Sequence, residues 1–171
     1  PDIEHTDLLI VLGANPVASN GSLWTVPDFR GKAKAMKARG GKMIVIDPRR
    51  TETAEIADHH LFIRPGGDVF LLLGMVHTLF ADKLVKLGRL AEHTVGLAKV
   101  EAAVARFSPK VVAARCGVDA GSIRDLTRML ANTPRGALYS RIGTCTQEFG
   151  TLGSWLVDVI NVLTGHLDAE G

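Results

Sequence analysis

An α/β fold with an open parallel sheet and helices on both faces is what this 171-residue sequence predicts. Three observations carry that expectation. Short, continuous apolar runs recur along the chain. Each is stopped by a polar or glycine-bearing turn. After each stop the pattern turns helical. Strand, sharp turn and helix in succession form the unit of a parallel sheet, whose strands need crossovers between them.

The first run is Asp7 to Leu12, DLLIVL, stopped by Gly13-Ala14-Asn15-Pro16. Val17 to Thr25 reads as irregular. Pro27 and Asp28 open a helix that runs to about Arg39 and ends at Gly40 and Gly41. Its Lys32, Lys34, Lys37 and Arg39 read as a solvated outer face. The second strand is Met43 to Ile46, stopped at Asp47-Pro48, and Thr51 to Ala57 makes a short helix or turn. The third run is Leu61 to Ile63, stopped by Arg64-Pro65-Gly66-Gly67-Asp68. Val69 to Phe80 follows, a helix apolar nearly all round, which must lie between the sheet and something else. Leu97, Val100, Val104 and Phe107 share one helical face. Asp119 reads as the N-cap of a helix to Ala131, with Ile123, Leu126 and Leu130 inward. Ala137 to Ile142 is the fourth strand, with Gly143 to Gln147 as its exit turn. A last helix, Thr151 to Leu163, places Trp155, Leu156, Val159, Ile160 and Leu163 on one face.

Composition bounds the function. At 46% hydrophobic and 22% charged, the chain is an ordinary globular domain, and its length favours a single domain over residues 1–171. A net charge of +2 gives no argument for nucleic acid. No apolar run approaches the ~20 residues of a membrane span, and the polar opening residues lead us to expect no signal peptide. Cys116 and Cys145 lack metal-ligand spacing and read as free thiols in a reducing, cytoplasmic setting. The absence of an initiator methionine and the abrupt HLDAEG end lead us to expect a piece of a longer, multidomain protein.

In a parallel sheet, the four turns Gly13–Pro16, Asp47–Thr51, Arg64–Asp68 and Gly143–Gln147 converge on one edge. Ligands bind at that edge. Glycine lets a backbone come close to a ligand, and helix N-termini present free N–H groups to anions. A phosphorylated ligand is the expectation. Each residue also has a structural reading. Asp68 either caps the next helix or faces the ligand. Asp47 either braces its turn or reads a ribose hydroxyl. Asn15 fits an ordinary turn, Arg64 could pair with Asp58 or Asp68, and Gln147 could sit in a surface loop. The first turn lacks G-x-G-x-x-G, and no P-loop or nucleophile elbow occurs. None of the six histidines has H-E-x-x-H spacing; His59 and His60 read as the edge of a strand. No residue set reads as catalytic.

The segments DLLIVLGANP, VIDPRRTETA, ADHHLFIRPGGD and NVLTGHLD together resemble the molybdopterin oxidoreductase family. The resemblance covers essentially the whole chain, and its most specific part is the DPR-x-T-x-TA turn followed by RPG-x-D. It implies a Rossmann-like domain of a large subunit of the formate dehydrogenase, nitrate reductase or dimethyl sulfoxide reductase kind. It also implies molybdenum or tungsten held by molybdopterin guanine dinucleotides, one of which lies along the four turns. Gly13, Asn15 and Pro16 match the first-strand turn. Asp47, Arg49 and Thr51 match the second, near the guanosine end. Arg64, Gly66 and Asp68 match the third, where the acid would accept from guanine N–H groups. Gly143 with Thr146 or Gln147 matches a Gly-x-x-Gln type turn near the pterin. The third turn reads PGGD where PGTD is common, which removes a threonine contact.

The family's metal ligand and its [4Fe–4S] cysteines lie upstream of the first strand, outside these residues. The resemblance therefore implies partners in the remaining domains of the same polypeptide and leaves room for an electron-transfer subunit. The 171 residues alone are expected to be inactive, and the apolar Val69–Phe80 helix, if left bare, to drive self-association. The competing reading is a non-catalytic nucleotide-binding module, such as the central domain of a thiamine diphosphate enzyme. That module should lack the RPG-x-D turn after a DPR turn.

Overall fold

A computed structural model describes residues 2–171. Four strands, β1 (Leu8–Leu12), β2 (Lys42–Ile46), β3 (His59–Leu61) and β4 (Gly136–Ser140), form one sheet in the order β3-β2-β1-β4. All three pairings are parallel. Leu8 lies opposite Lys42 on one side and Gly136 on the other, and Ile44 lies opposite His59. The central strand β1 is buried along its whole length, as a strand covered on both faces must be.

Helices cover both faces, as predicted. On one face Leu9, Val11, Met43, Val45 and Ala137 meet α2 (Phe29–Ala38) through Phe29, Ala33 and Met36. Ala54 of α3 (Glu52–Ile56) joins them, and α1 (Pro16–Ser19) lies at the first turn. On the other face Leu8, Ile10, Leu12, Ile44, Ile46 and Leu138 meet α4 (Asp68–Ala81) and the helices around it. Those are α5 (Leu97–Val104), α6 (Pro109–Cys116), α7 (Ala120–Asn132) and α9 (Gly150–Leu163). A four-residue helix, α8 (Ile142–Cys145), follows β4.

The helices between β1, β2 and β3 thus lie on one face, and those between β3 and β4 on the other. Right-handed crossovers produce this when the chain first steps outward from β1 to β3 and then returns to the far side of β1. The order reverses between β1 and β4, which makes their carboxyl ends the switch point of the sheet.

The helix α4 corrects one expectation. Its Leu71, Leu72, Met75 and Leu79 are fully buried, but the cover comes from α5, α6, α7 and α9 of the same chain. At Gly74 a Cβ would lie 2.8 Å from Val112 Cγ2, so the small residue lets α6 seat directly on α4. α4 is a central core helix whose apolar cover comes from within the chain.

Several boundaries shift. β3 is His59–Leu61 rather than Leu61–Ile63. Ile63 is buried but unpaired, because the chain has already left the sheet and Arg64 N donates to Cys116 O at 2.7 Å. The strand that pairs is the polar one, as suits a sheet edge. β4 ends at Ser140, and Ile142 begins α8, so the fourth turn is partly helical. The Val17–Thr25 stretch contains the end of α1 and a 3-10 turn, Ser22–Trp24. In α9, Leu156, Val157, Ile160 and Leu163 face inward, while Trp155 is 48% exposed. The basic face of α2 is on the surface, with Lys34 exposed, but most of its charges are engaged. Lys37 pairs with Asp58 at 3.0 Å, Lys32 with Glu4 at 2.8 Å, and Arg39 donates to the carbonyls of Ile3 and Thr6.

Candidate functional site

The exits of β1 and β4 touch. Gly143 N donates to Gly13 O at 3.0 Å, and a Cβ on Gly13 would lie 2.8 Å from Thr144 Oγ1. Gly13 also has φ +58°, a left-handed conformation that glycine adopts without strain. Glycine is needed here first for contact between two turns.

Asn15 and Pro16 tie the first turn to the second. Pro16 is buried at the first position of α1. Asn15 Oδ1 accepts from Thr53 Oγ1 at 2.7 Å and from Thr53 N at 3.3 Å, while its Nδ2 donates to Glu52 Oε2 at 2.7 Å. Asn15 is thus a cross-strut between two strand exits. Thr53, which receives it, was not singled out by the sequence reading.

In the second turn Asp47 Oδ1 accepts from Arg49 N at 2.8 Å, a local brace of the kind an aspartate makes in turns. Its main-chain carbonyl is hydrogen-bonded to His60 Nε2 at 3.0 Å. Arg49 is 74% exposed and lies 4.0 Å from Glu52. Thr51 is buried and caps α3, accepting from Ala54 N at 3.2 Å. Its hydroxyl is engaged within the protein.

The third turn departs most from the readings left open. Arg64 pairs with neither acid; its Nη1 donates to Ala114 O at 2.7 Å, at the end of α6. Asp58 is taken by Lys37 and Met43 N. Gly66 has φ +77°, and the nearest atom to a Cβ there is Gln147 Oε1 at 3.7 Å. At Gly67 a Cβ would lie 2.7 Å from Cys116 Cα, so the second glycine of PGGD is required by the approach of α6. A threonine does not fit that position without moving the α6 end.

Asp68 does not cap α4. Gly67 occupies the N-cap position, and Asp68 is the first residue of the helix. It is 6% exposed. Burial raises its carboxyl above the usual range, and the charge of Asp47 raises it further; only its own backbone N–H works the other way. Among the described residues no cation pairs with this buried acid, which stands at a helix N-terminus.

The fourth turn closes on the third. Gln147 Nε2 donates to Gly143 O at 2.8 Å, and its Oε1 faces Gly66. Thr146 turns its hydroxyl to Ile142 O at 2.8 Å, within its own helical turn. Gln147, not Thr146, therefore joins the strand-exit edge. Gly13, Asn15, Asp47, Gly66, Asp68, Gly143 and Gln147 form or adjoin one edge. Thr51 and Thr146 have their hydroxyls satisfied locally. Among the described residues there is no cluster of His, Cys, Asp and Glu that could hold a metal ion. No helix among them is long and apolar enough to cross a membrane.

The family model described as molybdopterin oxidoreductase matches residues 1–93. Formate dehydrogenase H from Escherichia coli (strain K12) is 31% identical over 166 residues, covering 97% of this chain and 22% of that protein. A dimethyl sulfoxide/trimethylamine N-oxide reductase from Cereibacter sphaeroides is 32% identical over 178 residues, again 22% of its length. The solved structure of acetylene hydratase from Pelobacter acetylenicus superposes with a TM-score of 0.82 at 28% identity, over 96% of this chain and 22% of that one. The chain thus spans about a fifth of the length of these relatives. The match sets aside the thiamine diphosphate module. With its parallel sheet, its strand-exit turns and more than half its length matched, this chain belongs to the molybdopterin oxidoreductase family.

Proposed function

We propose that these 171 residues are one domain of a molybdenum or tungsten oxidoreductase, and that its four strand exits hold one molybdopterin guanine dinucleotide. The substrate class is formate dehydrogenase-like or oxyanion/sulfoxide reductase-like. Asp68 is the observation that carries this reading. Its carboxylate is buried, caps nothing, and stands near enough to Asp47 to feel its charge. Guanine presents two N–H donors on one edge, and a carboxylate has two acceptor oxygens to meet them. The family implies a molybdopterin cofactor, and the residues fit it. Gly66 leaves open space beside Gln147, and among the described residues no cation pairs with the carboxylate of Asp68.

When bound, the metal–pterin group supplies oxygen-atom or hydride-equivalent transfer. The residues of this chain bind and orient. Asp68 accepts from guanine, and the braced carboxylate of Asp47 lies by the guanosine end with Arg49. Gly13, Gly66 and Gly143 let the backbone approach, and Asn15 and Pro16 hold the first exit in place. Gln147 faces the pterin side. The metal ligand, any [4Fe–4S] cluster and any electron-transfer subunit belong to other parts of the protein, and these residues alone are inactive.

The test is Asp68→Asn in the full-length protein, with guanine nucleotide measured per polypeptide after denaturation. We expect at least a five-fold fall in nucleotide content, with no loss of thermal stability in the unloaded protein. Full nucleotide content in that variant would overturn the reading.

A further inference from the structure

We propose that Arg141 forms an oxyanion site at the switch point between β1 and β4, taking a phosphate of the dinucleotide or a free oxyanion. Arg141 is the first residue beyond β4. Its backbone is pinned: N donates to Leu12 O at 3.3 Å, and its carbonyl accepts from Thr144 N at 2.8 Å and Cys145 N at 3.3 Å. The side chain therefore leaves from a fixed point, next to the contact between Gly13 and Gly143.

Its guanidinium is idle within the protein. Nε is buried and has no hydrogen-bond partner, and among the described residues no carboxylate forms an ion pair with Arg141. The other end of the same strand shows the contrast. Arg135 meets Asp7 through two bonds of 2.8 and 2.9 Å. A buried N–H of a charged group left without an acceptor costs free energy, which a bound oxyanion would relieve. The planar guanidinium fork matches two oxygens of a phosphate or other oxyanion.

Arg141 lines a cleft of about 540 Å³ that runs along the open edge of β4 with Ser140, Asn161 and His166; Cys145 and Ser154 line it too, but Cys145 Sγ lies 3.4 Å from Ser154 Oγ, which donates to Gly150 O at 3.0 Å. Asp2, Asp158 and Asp168 line the same cleft; Asp168 is paired with Arg89, and none of the three makes an ion pair with Arg141. Open α/β sheets bind their ligands at this reversal of strand order. If the oxyanion is a cofactor phosphate, the proposal rests on the function proposed above; if it is free, it does not.

The experiment uses the full-length protein as wild type, Arg141→Met and Arg141→Lys. Three quantities are read: thermal stability of the unloaded protein, guanine nucleotide content, and binding of inorganic phosphate to the loaded protein by calorimetry. Arg141→Met should leave the unloaded melting temperature unchanged or raised, because the guanidinium holds nothing in the fold. A five-fold or greater loss of nucleotide content in Arg141→Met, with a smaller loss in Arg141→Lys, identifies the cofactor phosphate as ligand. Unchanged content, with a phosphate isotherm that Arg141→Met abolishes, identifies a free oxyanion. If wild type carries no guanine nucleotide, the function proposed above fails while the phosphate isotherm still tests Arg141. A melting temperature lowered by several degrees in Arg141→Met would show a structural guanidinium and overturn the proposal. So would unchanged nucleotide content together with phosphate binding that is absent from wild type or unaffected by Arg141→Met.

Discussion

Asn15 Oδ1 accepts the Thr53 hydroxyl at 2.7 Å across 38 positions of sequence, joining the exit of β1 to the helix that follows β2. Thr53 is fully buried and its hydroxyl oxygen also accepts from Val17 N at 3.1 Å, so the strut lies inside the protein. The turn that sequence alone would assign to ligand contact is first of all a brace between two loops.

Asn15→Ala should therefore cost stability before it costs binding. Losing the two Thr53 bonds is worth about 1–2 kcal/mol, and the exposed bond to Glu52 adds little. Asn15→Asp keeps the acceptor but places a second charge beside Glu52, and should fall between wild type and Asn15→Ala. Urea unfolding of the three proteins at neutral pH measures the order; an unchanged midpoint in Asn15→Ala would remove the brace.

The glycines of the edge should separate by steric demand. Gly13→Ala puts Cβ 2.8 Å from Thr144 Oγ1 and 2.9 Å from Thr144 N, at φ +58°. Backbone atoms cannot yield there, and about 2–4 kcal/mol should be lost. Gly66→Ala meets nothing nearer than 3.7 Å, and only its φ of +77° opposes the change, about 1–2 kcal/mol. Thermal melts of the two variants compare them directly, and an equal or reversed order would contradict the contact between the first and fourth turns.

Asp68 makes stability depend on pH in a stated direction. Burial, then the charge of Asp47, raises its folded carboxyl above the unfolded range. Its neutral form is the one the fold favours. That contribution is fully present below the ordinary carboxylate range near pH 3.9 and is lost as pH rises through the raised folded value. The unloaded Asp68→Asn protein should be more stable than wild type at pH 7.5, with the difference shrinking toward pH 4. Denaturant midpoints at the two pH values provide the check. A wild type more stable than the variant at pH 7.5 would show the charge to be structurally favourable.

Two histidines act in the opposite sense. Burial lowers His166, with Lys86 adding to it and the Thr133 carbonyl opposing; burial also lowers His77, followed by the charge of Arg124. His166 Nε2 is hydrogen-bonded to Thr133 O at 2.9 Å, and its Nδ1 is buried without a partner, so a second proton has nowhere to go. A base lowered on folding contributes stability that is full above the ordinary histidine range near pH 6.5 and is lost as pH falls through the lowered value. The urea midpoint should drop as pH is taken from 7 toward 5, and His166→Gln should flatten that slope. A slope unchanged by the substitution would assign the acid sensitivity elsewhere.

The strands and the site were legible to different degrees. β1 and β2 are readable because burial on both faces leaves a short apolar run that turn residues close on the carboxyl side, whereas the longer apolar run from Val69 is a helix. β3 was misplaced by two residues because its partner, not its apolarity, selects His59–Leu61. An edge strand buries less, so its hydrophobic signal is weak. Trp155 was placed inward because periodicity marks an apolar stripe but not where the covering elements stop.

What the sequence determined by itself is the order of strands and turns, the family resemblance, and the residue types at each strand exit. Those are local, since apolar runs, turn residues and motif spacing are fixed along the chain. Which of those residues are spent inside the fold was decided only by tertiary structure. Thr51 caps a helix, Asn15 braces a neighbour, Gly13 makes room for Thr144, and Arg64 anchors to α6. Asp68 alone of the third-turn charges is left buried and uncommitted, and Arg141, overlooked as strand interior, stands unpaired at the switch point. The physical reason is that a polar group's availability depends on whether a partner lies within about 3 Å; Thr51 finds its partner three positions on, but the partners of Asn15 and Arg64 lie 38 and 50 positions away in sequence.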